Sequence, residues 1–274
     1  MTEREYRLSE GISRSELWRL NPDNGGTPEK FMWAKEHPET PTPALIFGQA
    51  THKLLLEPED FFTAFAVLPN IDKRTKEGKA SYAAFLEGLC DRQELSLADY
   101  EKAVAMTEKT INTDFVRRLL DGEHEKPIFW TDAATGEVCK IRLDCLTEIG
   151  GVPLIVDYKT AQDASLDGFT RHALKYGYDF QAGMYCEGVE QATGKTPRFV
   201  FVVQEKDAPF AVNVIEADAA FIQRGKDKMR ELLGIYHECK VTGNWYGYTG
   251  NTPTIATMTL PAWAGGNQKE EDKE

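Results

Sequence analysis

Two strand patterns joined by Gly150-Gly151 constrain the fold of this chain more than any other feature of its sequence. A Gly-Gly pair between strands favours a two-residue hairpin turn, because both turn positions require a positive φ that glycine adopts without strain. Counting outward from that turn places Asp144 directly opposite Asp157. Opposed residues of a hairpin project from the same side of the sheet, with Cβ atoms about 4.5–5.5 Å apart. The sequence therefore predicts two neighbouring carboxylates on one face of a hairpin.

Alternation of side chains along each strand predicts what surrounds this acidic pair. The acidic face is predicted to carry three cations, namely Lys140, Arg142 and Lys159. The opposite face is predicted to carry Ile141, Leu143, Val156 and Tyr158. Like charges directly across strands are destabilising, and buried carboxylates that meet usually share a proton or bind a hard cation such as Mg²⁺. The alternative is a solvated sheet face with ordinary salt bridges.

The rest of the chain divides at Pro127 into a mostly helical N-terminal third and a region of period-two strand patterns. Predicted helices cover residues 17–20, 44–56, 80–89, 97–120, 169–190 and 219–239. Predicted strands cover residues 128–131, 138–148, 153–160, 198–204 and 211–215. We therefore expect an α/β fold with a central mixed sheet flanked by helices. It should form a single domain over residues 1–264, followed by a disordered acidic tail over residues 265–274.

Composition limits the possible partners of this domain. The 274 residues include 32 Lys and Arg against 44 Asp and Glu, a net charge of −12, and a uniformly acidic surface would repel nucleic acids and membranes. An anionic substrate would need a local basic site with a metal. The five cysteines form no CxxC pair, so no iron–sulfur cluster is expected. The sequence shows neither a membrane-spanning apolar run nor a signal-peptide pattern, so we expect a cytoplasmic protein.

Several longer motifs accompany the acidic pair in a fixed order. The spacing of Asp144 and Asp157-Tyr158-Lys159 resembles the PD-(D/E)XK nuclease signature, with Leu143 where the name puts proline. The ordered segments are FGQATHKLLLEP at 47–58, KRTKEG at 73–78, CKIRLD at 139–144, IVDYKT at 155–160, YGY at 176–178, QAGMY at 181–185 and LPAW at 260–263. Together they resemble the C-terminal nuclease family of exonuclease VIII (RecE-type), over roughly residues 11–264.

That resemblance implies a RecB-like, Mg²⁺-dependent 5′–3′ exodeoxyribonuclease, with Mn²⁺ as a possible substitute. It would degrade linear double-stranded DNA from its ends and leave 3′ single-stranded overhangs for recombination. The implied metal ligands are His52, Asp144, Asp157 and the backbone carbonyl of Tyr158, while Lys159 would position or polarise the attacking water. The implied partners are DNA ends, a toroidal homo-oligomer and a single-strand annealing protein, in a phage or prophage setting.

Four further residues have weaker support. His52 shares a predicted helix face with Gly48, so it points inward, either as a ligand or as a packed core histidine. Glu125 either supports the metal site, as a glutamate does in the resembled family, or is a surface charge, and Glu123 and His124 are neighbours that could be mistaken for it. Gln181 and Tyr185 stand at i and i+4, so both can support one site, or simply pack a helix on the core.

DNA contacts are predicted from the best local concentration of cations, namely Arg74, Lys76, Lys140 and Arg142. For the first two of these, an ordinary solvated loop is the alternative. Three other functions compete with the exonuclease. One is a Mg²⁺-dependent phosphohydrolase of small phosphate esters, and another is a nuclease-derived DNA-end-binding or recombination scaffold that does not cut. The third is a Cas4-like nuclease, against which the missing cysteine cluster counts.

Overall fold

The structure is a computed structural model that describes residues 1–250, 252 and 255–260. Its helices are α1 Glu3–Leu8, α2 Arg14–Trp18, α3 Pro28–Glu36, α4 Pro43–Leu56, α5 Phe61–Ala64, α6 Lys76–Glu87, α7 Leu97–Ile111, α8 Asp114–Leu119, α9 Leu166–Lys175, α10 Tyr178–Thr193 and α11 Ala219–Thr242. Its strands are β1 Ile12–Ser13, β2 Phe65–Leu68, β3 Gln93–Ser96, β4 Glu123–Thr131, β5 Val138–Ile149, β6 Val152–Ala161, β7 Arg198–Glu205 and β8 Val212–Glu216. The predicted tail and residues 261–263 of the last motif lie outside the described residues.

Six strands form one mixed sheet, in which β5 pairs with β1, β4 and β6. From β6 the sheet continues to β7 and then to β8. The β4, β5 and β6 pairs are antiparallel, whereas β6 and β7 are parallel. One layer of helices, including α10 and α11, packs on one face of this sheet, and α4 and α8 pack on the other. This arrangement confirms the predicted fold class. None of the described helices combines the length and apolar character needed to cross a bilayer.

The register of the central hairpin follows the Gly-Gly turn as predicted. Gly150 and Gly151 have φ values of 61° and 79°, and Ile149 pairs with Val152. The ladder continues to Cys145 and Val156 and then stops, one step before Asp144 and Asp157. The predicted register is therefore confirmed, and the two acids lie where β5 and β6 begin to diverge.

The predicted apolar face of the hairpin is wrong in part. Val156 and Tyr158 pack on the α4 side of the sheet, but Ile141 and Leu143 pack on the α10 side. Leu143 and Cys145 should share a face in a regular strand, yet they join opposite clusters, so β5 changes face at Asp144. The β4–β5 ladder skips the step between His124–Cys145 and Lys126–Leu143, where Glu125, whose φ of 50° is left-handed, stands across from Asp144. At this irregular step the regular alternation of side chains between the two faces of β5 is interrupted at Asp144.

A gap in the sheet results from the way β5 is paired. β4 pairs with one edge of β5 over most of that strand. β1 and β6 therefore share the other edge, β1 near the start of β5 and β6 near its end. The β1 pairs end at Lys140 and the β6 pairs begin at Cys145, so in the described part of the chain this edge is open between them.

Two long helices predicted from periodicity are each divided in two. The first breaks at Asn112-Thr113, between α7 and α8, and the second breaks at Gly177, between α9 and α10. Gly177 has a φ of 65°, and a Cβ added to it would lie 2.2 Å from the Trp18 ring. The short parallel pair of β2 and β3 was not predicted, because each strand has only four residues.

Gly177→Ala should destabilise the protein more than Gly194→Ala does. Both glycines have left-handed φ values, 65° and 69°, which cost an alanine roughly 1 kcal/mol. Only at Gly177 would the new methyl overlap a ring, since no described atom lies within 4 Å of a Cβ at Gly194. Overlap in a packed site adds about 1–3 kcal/mol. Urea unfolding of the two variants measures the difference, and equal losses would contradict the role given to Trp18.

Candidate metal centre and active site

Three side chains from distant parts of the chain converge at the gap in the sheet. His52 comes from α4, Glu125 from β4 and Asp144 from β5. His52 Nε2 lies 2.8 Å from Asp144 Oδ2, and His52 Nδ1 lies 3.3 Å from Glu125 Oε1. One potential ligand atom from each residue lies within 4.8 Å of the other two. Two carboxylates and an imidazole at this spacing suit a divalent cation such as Mg²⁺ or Mn²⁺.

Tyr158 completes this donor set through its backbone. The Tyr158 N–H donates to Asp144 Oδ2 at 2.9 Å, so this edge of β6 faces the gap. The N–H and C=O of one strand residue point to the same side, so the Tyr158 carbonyl also faces the gap. The Tyr158 side chain instead packs in the core on the α4 side and donates from its hydroxyl to Gln204. The residues present therefore fit a metal held by side chains and one carbonyl.

Asp157 lies on the other side of the gap, toward α10. Its carboxylate is fully buried, accepts a hydrogen bond from Gln181 Nε2 at 2.5 Å, and contacts the ammonium of Lys159. Tyr185 lies one turn after Gln181 and lines the same cleft as His52 and Asp144. The α4 layer thus contributes His52, while the α10 layer contributes the two residues that contact or approach Asp157.

The pKa values of the two aspartates shift in opposite directions, although the hairpin register alone would predict equivalent surroundings for both. Burial opposes ionisation of Asp144, but the charge and hydrogen bond of His52 outweigh it and hold the pKa of Asp144 below its usual range. Burial raises the pKa of Asp157, and the nearby Lys159 offsets only part of that rise. Burial alone would lower the pKa of His52. Attraction to the Asp144 carboxylate outweighs burial, so the pKa of His52 is raised.

Glu125 is part of this cluster and is not a surface charge. Its side chain is 10% exposed, and burial, opposed by attraction to His52, raises its pKa to about 7. Arg142 Nε lies 2.6 Å from Glu125 Oε2, so one of the predicted DNA contacts pairs with a candidate ligand. The neighbour His124 lies elsewhere, with its ring nitrogens 2.9 and 2.7 Å from the carbonyl oxygens of Leu56 and Leu120.

Lys140 has structural contacts in addition to its predicted role in DNA binding, which stays a prediction. Its Nζ lies near three carbonyl oxygens at the end of α1, those of Tyr6, Arg7 and Ser9, at 3.1, 3.4 and 2.7 Å. An ammonium group has three donors, and these carbonyls can accept all of them. These contacts stabilise the position of α1, and a phosphate would have to compete with them for the Lys140 ammonium.

Arg74 and Lys76 do not line either cleft beside the metal cluster. Arg74 is exposed and pairs with Asp72 at 2.9 Å, and Lys76 begins α6. Their predicted contact with DNA stays a prediction.

The two clefts have volumes of about 520 and 560 Å³ and meet at His52, Glu125, Arg142 and Gln181.

Sequence reasoning missed Arg14, a partly buried cation near the site. Arg14 Nη2 donates to the carbonyls of Tyr176 and Gly177, both at 2.7 Å, and its guanidinium lies over the Trp18 and Phe180 rings. Burial lowers the pKa of Arg14. The sequence places Arg14 at the start of a capped helix, but nothing in the local pattern links it to a turn more than 160 residues away.

Comparisons with known proteins agree with this geometry. A solved structure of a protein from Eubacterium rectale, named there "Putative exonuclease", matches with a TM-score of 0.60 and 16% identity over 97% of this chain and 98% of that chain. At that identity the match shows a shared fold. A second structure, SSO0001, matches over 81% of this chain and 77% of that chain at 14% identity, but its TM-score of 0.34 supports no argument. No curated protein sequence matches.

The profile of one protein family covers most of the sequence. That family is described as a "PDDEXK-like domain of unknown function (DUF3799)", and its profile matches residues 23–257. The match includes the hairpin, the metal cluster, Lys159 and Gln181. It supports the PD-(D/E)XK part of the resemblance and does not confirm membership of the RecE-type family. On this evidence the chain belongs to the PDDEXK-like family DUF3799.

Proposed function

We propose that this protein is a metal-dependent exodeoxyribonuclease that degrades linear double-stranded DNA from 5′ ends. The observation that carries the proposal is the convergence of His52, Asp144, Asp157 and Lys159 at the gap in a PDDEXK-like sheet. A small phosphate ester could use the same carboxylates. The two adjoining clefts of about 520 and 560 Å³, however, share His52 and Arg142 in their lining and together offer more room than a small ester needs. The fold shared with a protein named as an exonuclease also supports the proposal.

The chain's own residues would each have a defined role in hydrolysis. His52, Asp144, Asp157 and the Tyr158 carbonyl would hold a divalent cation, with Glu125 beside them. Such a cation supplies Lewis-acid activation of water and neutralises charge on the phosphate. Hydrolysis forms a bond between phosphorus and the water oxygen and breaks the bond to the leaving sugar oxygen.

Lys159 would stabilise the negative charge that grows on the phosphate oxygens during this step. It is well placed for that role, because its ammonium is held at Asp157 inside the cleft. Gln181 would keep the Asp157 carboxylate in one orientation through its hydrogen bond. Arg142 offers a further positive charge on the cleft wall, although it must share that charge with Glu125.

Linear duplex DNA should be degraded in Mg²⁺ or Mn²⁺, and covalently closed circles should resist. Ca²⁺ should bind but support little turnover, because its looser coordination orients water less strictly. Linear duplexes labelled at either the 5′ or the 3′ end measure cleavage, strand preference and polarity together. Equal rates on circular and linear DNA would reject an exonuclease. Tight binding of DNA ends without cleavage in any of these metals would favour a non-catalytic scaffold.

We also propose that the protein forms a toroidal homo-oligomer and works with a single-strand annealing protein. An acidic exterior is compatible with DNA binding if cations such as Arg74 and Lys76 line an internal channel. Light scattering should show an oligomer at micromolar concentration, and duplex binding should weaken as salt rises. A monomer both with and without DNA would contradict the ring.

A further inference from the structure

Three aromatic side chains lie together on the wall of the cleft that contains His52 and Lys159. His172 is on α9, Tyr176 follows that helix and Tyr178 begins α10. Their ring centroids are 4.5 Å apart for His172 and Tyr176, 5.7 Å for His172 and Tyr178, and 6.4 Å for Tyr176 and Tyr178. All three line the cleft of about 560 Å³. We refer to His172, Tyr176 and Tyr178 as the aromatic platform.

The platform is both accessible and fixed in position. Tyr176 is 47% exposed, which is unusual for a ring whose only role is to fill a core. The backbone beneath it is held by Arg14, which donates to the carbonyls of Tyr176 and Gly177. The Trp18 ring packs against Gly177 and leaves no room for a side chain there. A surface that is ordered before binding loses little conformational entropy when a ligand arrives.

Cations surround the platform. Lys175 Nζ lies 5.5 Å from the Tyr176 ring centroid, and Lys159 Nζ lies 5.0 Å from the Tyr178 ring centroid. Lys206 lines the same cleft. Two acidic residues of this cleft are already paired, since Glu57 contacts Lys53 and Glu125 contacts Arg142. The platform therefore combines flat apolar surface with positive charge, as single-strand-binding grooves do.

We infer that the aromatic platform binds an unpaired nucleobase of the strand whose phosphate lies at the metal centre. A base inside a duplex is covered on both faces by its neighbours, so only a terminal or unpaired base can stack on a protein ring. The contact between Lys159 and Tyr178 makes the platform continuous with the active site. This inference rests on the proposed nuclease function, and it adds that the base that stacks on the platform is unpaired when the strand is bound for cutting.

The test is a comparison of base-containing and abasic DNA. Fluorescence anisotropy in Ca²⁺ would measure binding of two short single-stranded phosphorothioate oligonucleotides, one of thymidines and one with abasic sites in place of the bases. Tyr176→Ala should weaken binding of the thymidine oligonucleotide about 10-fold, or about 1.4 kcal/mol, within the range for losing one stacked base. Binding of the abasic oligonucleotide should not change, and Tyr176→Phe should bind both like the wild type.

Leu174→Ala is the matched control, because Leu174 lies two residues before Tyr176, on α9, and is 41% exposed but does not line the cleft. It should leave both affinities unchanged. Should Tyr176→Ala fail to fold by circular dichroism, His172→Ala serves as the second variant with the same expected pattern. An equal loss on both oligonucleotides, or no loss on either, would overturn the inference.

Failure of the platform and failure of the nuclease give different results. If the wild type cuts DNA but Tyr176→Ala shows no base-dependent loss, the platform is wrong and the nuclease stands. If the wild type cuts no DNA but the base-dependent loss is observed, the platform stands as a binding site and the nuclease is wrong.

Discussion

Asp144→Asn and Asp157→Asn should each slow DNA cleavage by at least ~100-fold, but only Asp144→Asn should destabilise the metal-free protein. The loss of rate is the scale expected for removing one group that stabilises the transition state. The difference in stability follows from the opposite pKa shifts of the two carboxyls. The Asp144→Asn variant would lose charged hydrogen bonds to His52 and the Tyr158 N–H, which together contribute about 2 kcal/mol. That loss lowers the melting temperature by roughly 4–8 °C.

The sign of the Asp157 effect can be checked against pH. A carboxyl whose pKa is raised on folding destabilises the folded state as pH rises above its unfolded pKa, about 3.9 for Asp. In EDTA, the wild type should therefore lose stability relative to Asp157→Asn as pH rises from about 3.9 to the folded pKa of Asp157, about 6. Asp144 has the opposite sign, because its lowered pKa gives stability that is present near neutrality and lost in acid.

Melting curves in EDTA and in Mg²⁺, with one cleavage rate for each variant, complete this test. Both variants should lose most of the rise in melting temperature that Mg²⁺ produces in the wild type. Asp207→Asn is the control, since its side chain is 80% exposed and makes only a weak contact with Lys102. A surface salt-bridge role would leave the Mg²⁺ response intact, and near-normal cutting by Asp157→Asn would falsify the site assignment.

Lys159→Met should separate metal binding from chemistry. The ammonium of Lys159 contacts Asp157 from a side chain that is 17% exposed, and its positive charge opposes cation binding at this site. Methionine fills a similar volume without that charge, so Mg²⁺ should bind at least as tightly as in the wild type. Cleavage should nevertheless fall by at least ~100-fold, because the charge that develops on the phosphate loses one stabilising cation.

Titration of the melting temperature with Mg²⁺ gives the affinity, and linear duplex DNA gives the rate. Lys195→Met is the matched control, because Lys195 contacts the Gly151 carbonyl at the turn of the hairpin, away from the clefts. It should change neither quantity. A Lys159→Met variant that cuts normally would show that Lys159 only pairs with Asp157, and one that no longer binds Mg²⁺ would show that it has a structural role.

Features that depend on a few neighbouring residues were predictable from the sequence. The hairpin register followed from two glycines with positive φ. The short helix predicted over residues 17–20 lies instead at Arg14–Trp18, where the Ser13 N–H donates to Glu16 Oε2 at 2.9 Å. The mixed sheet and its flanking helices followed from the change in hydrophobic period at Pro127. Helix ends were less accurate, because Gly177 and Asn112-Thr113 interrupt patterns whose apolar period continues across the break.

The sequence by itself determined the register of the hairpin, which brings Asp144 and Asp157 to the same end of the β5–β6 ladder, because turn preferences and strand alternation act over short separations. Only the tertiary structure decided that β5 changes face at Asp144 and that Lys140 donates to carbonyl oxygens at the end of α1. It also decided that the pKa values of Asp144 and Asp157 shift in opposite directions. Each of these depends on residues far away in the chain, such as His52 and Gln181. Burial and Coulomb interactions depend on distance in space, and distance in space is set by the packing of both helical layers on the sheet.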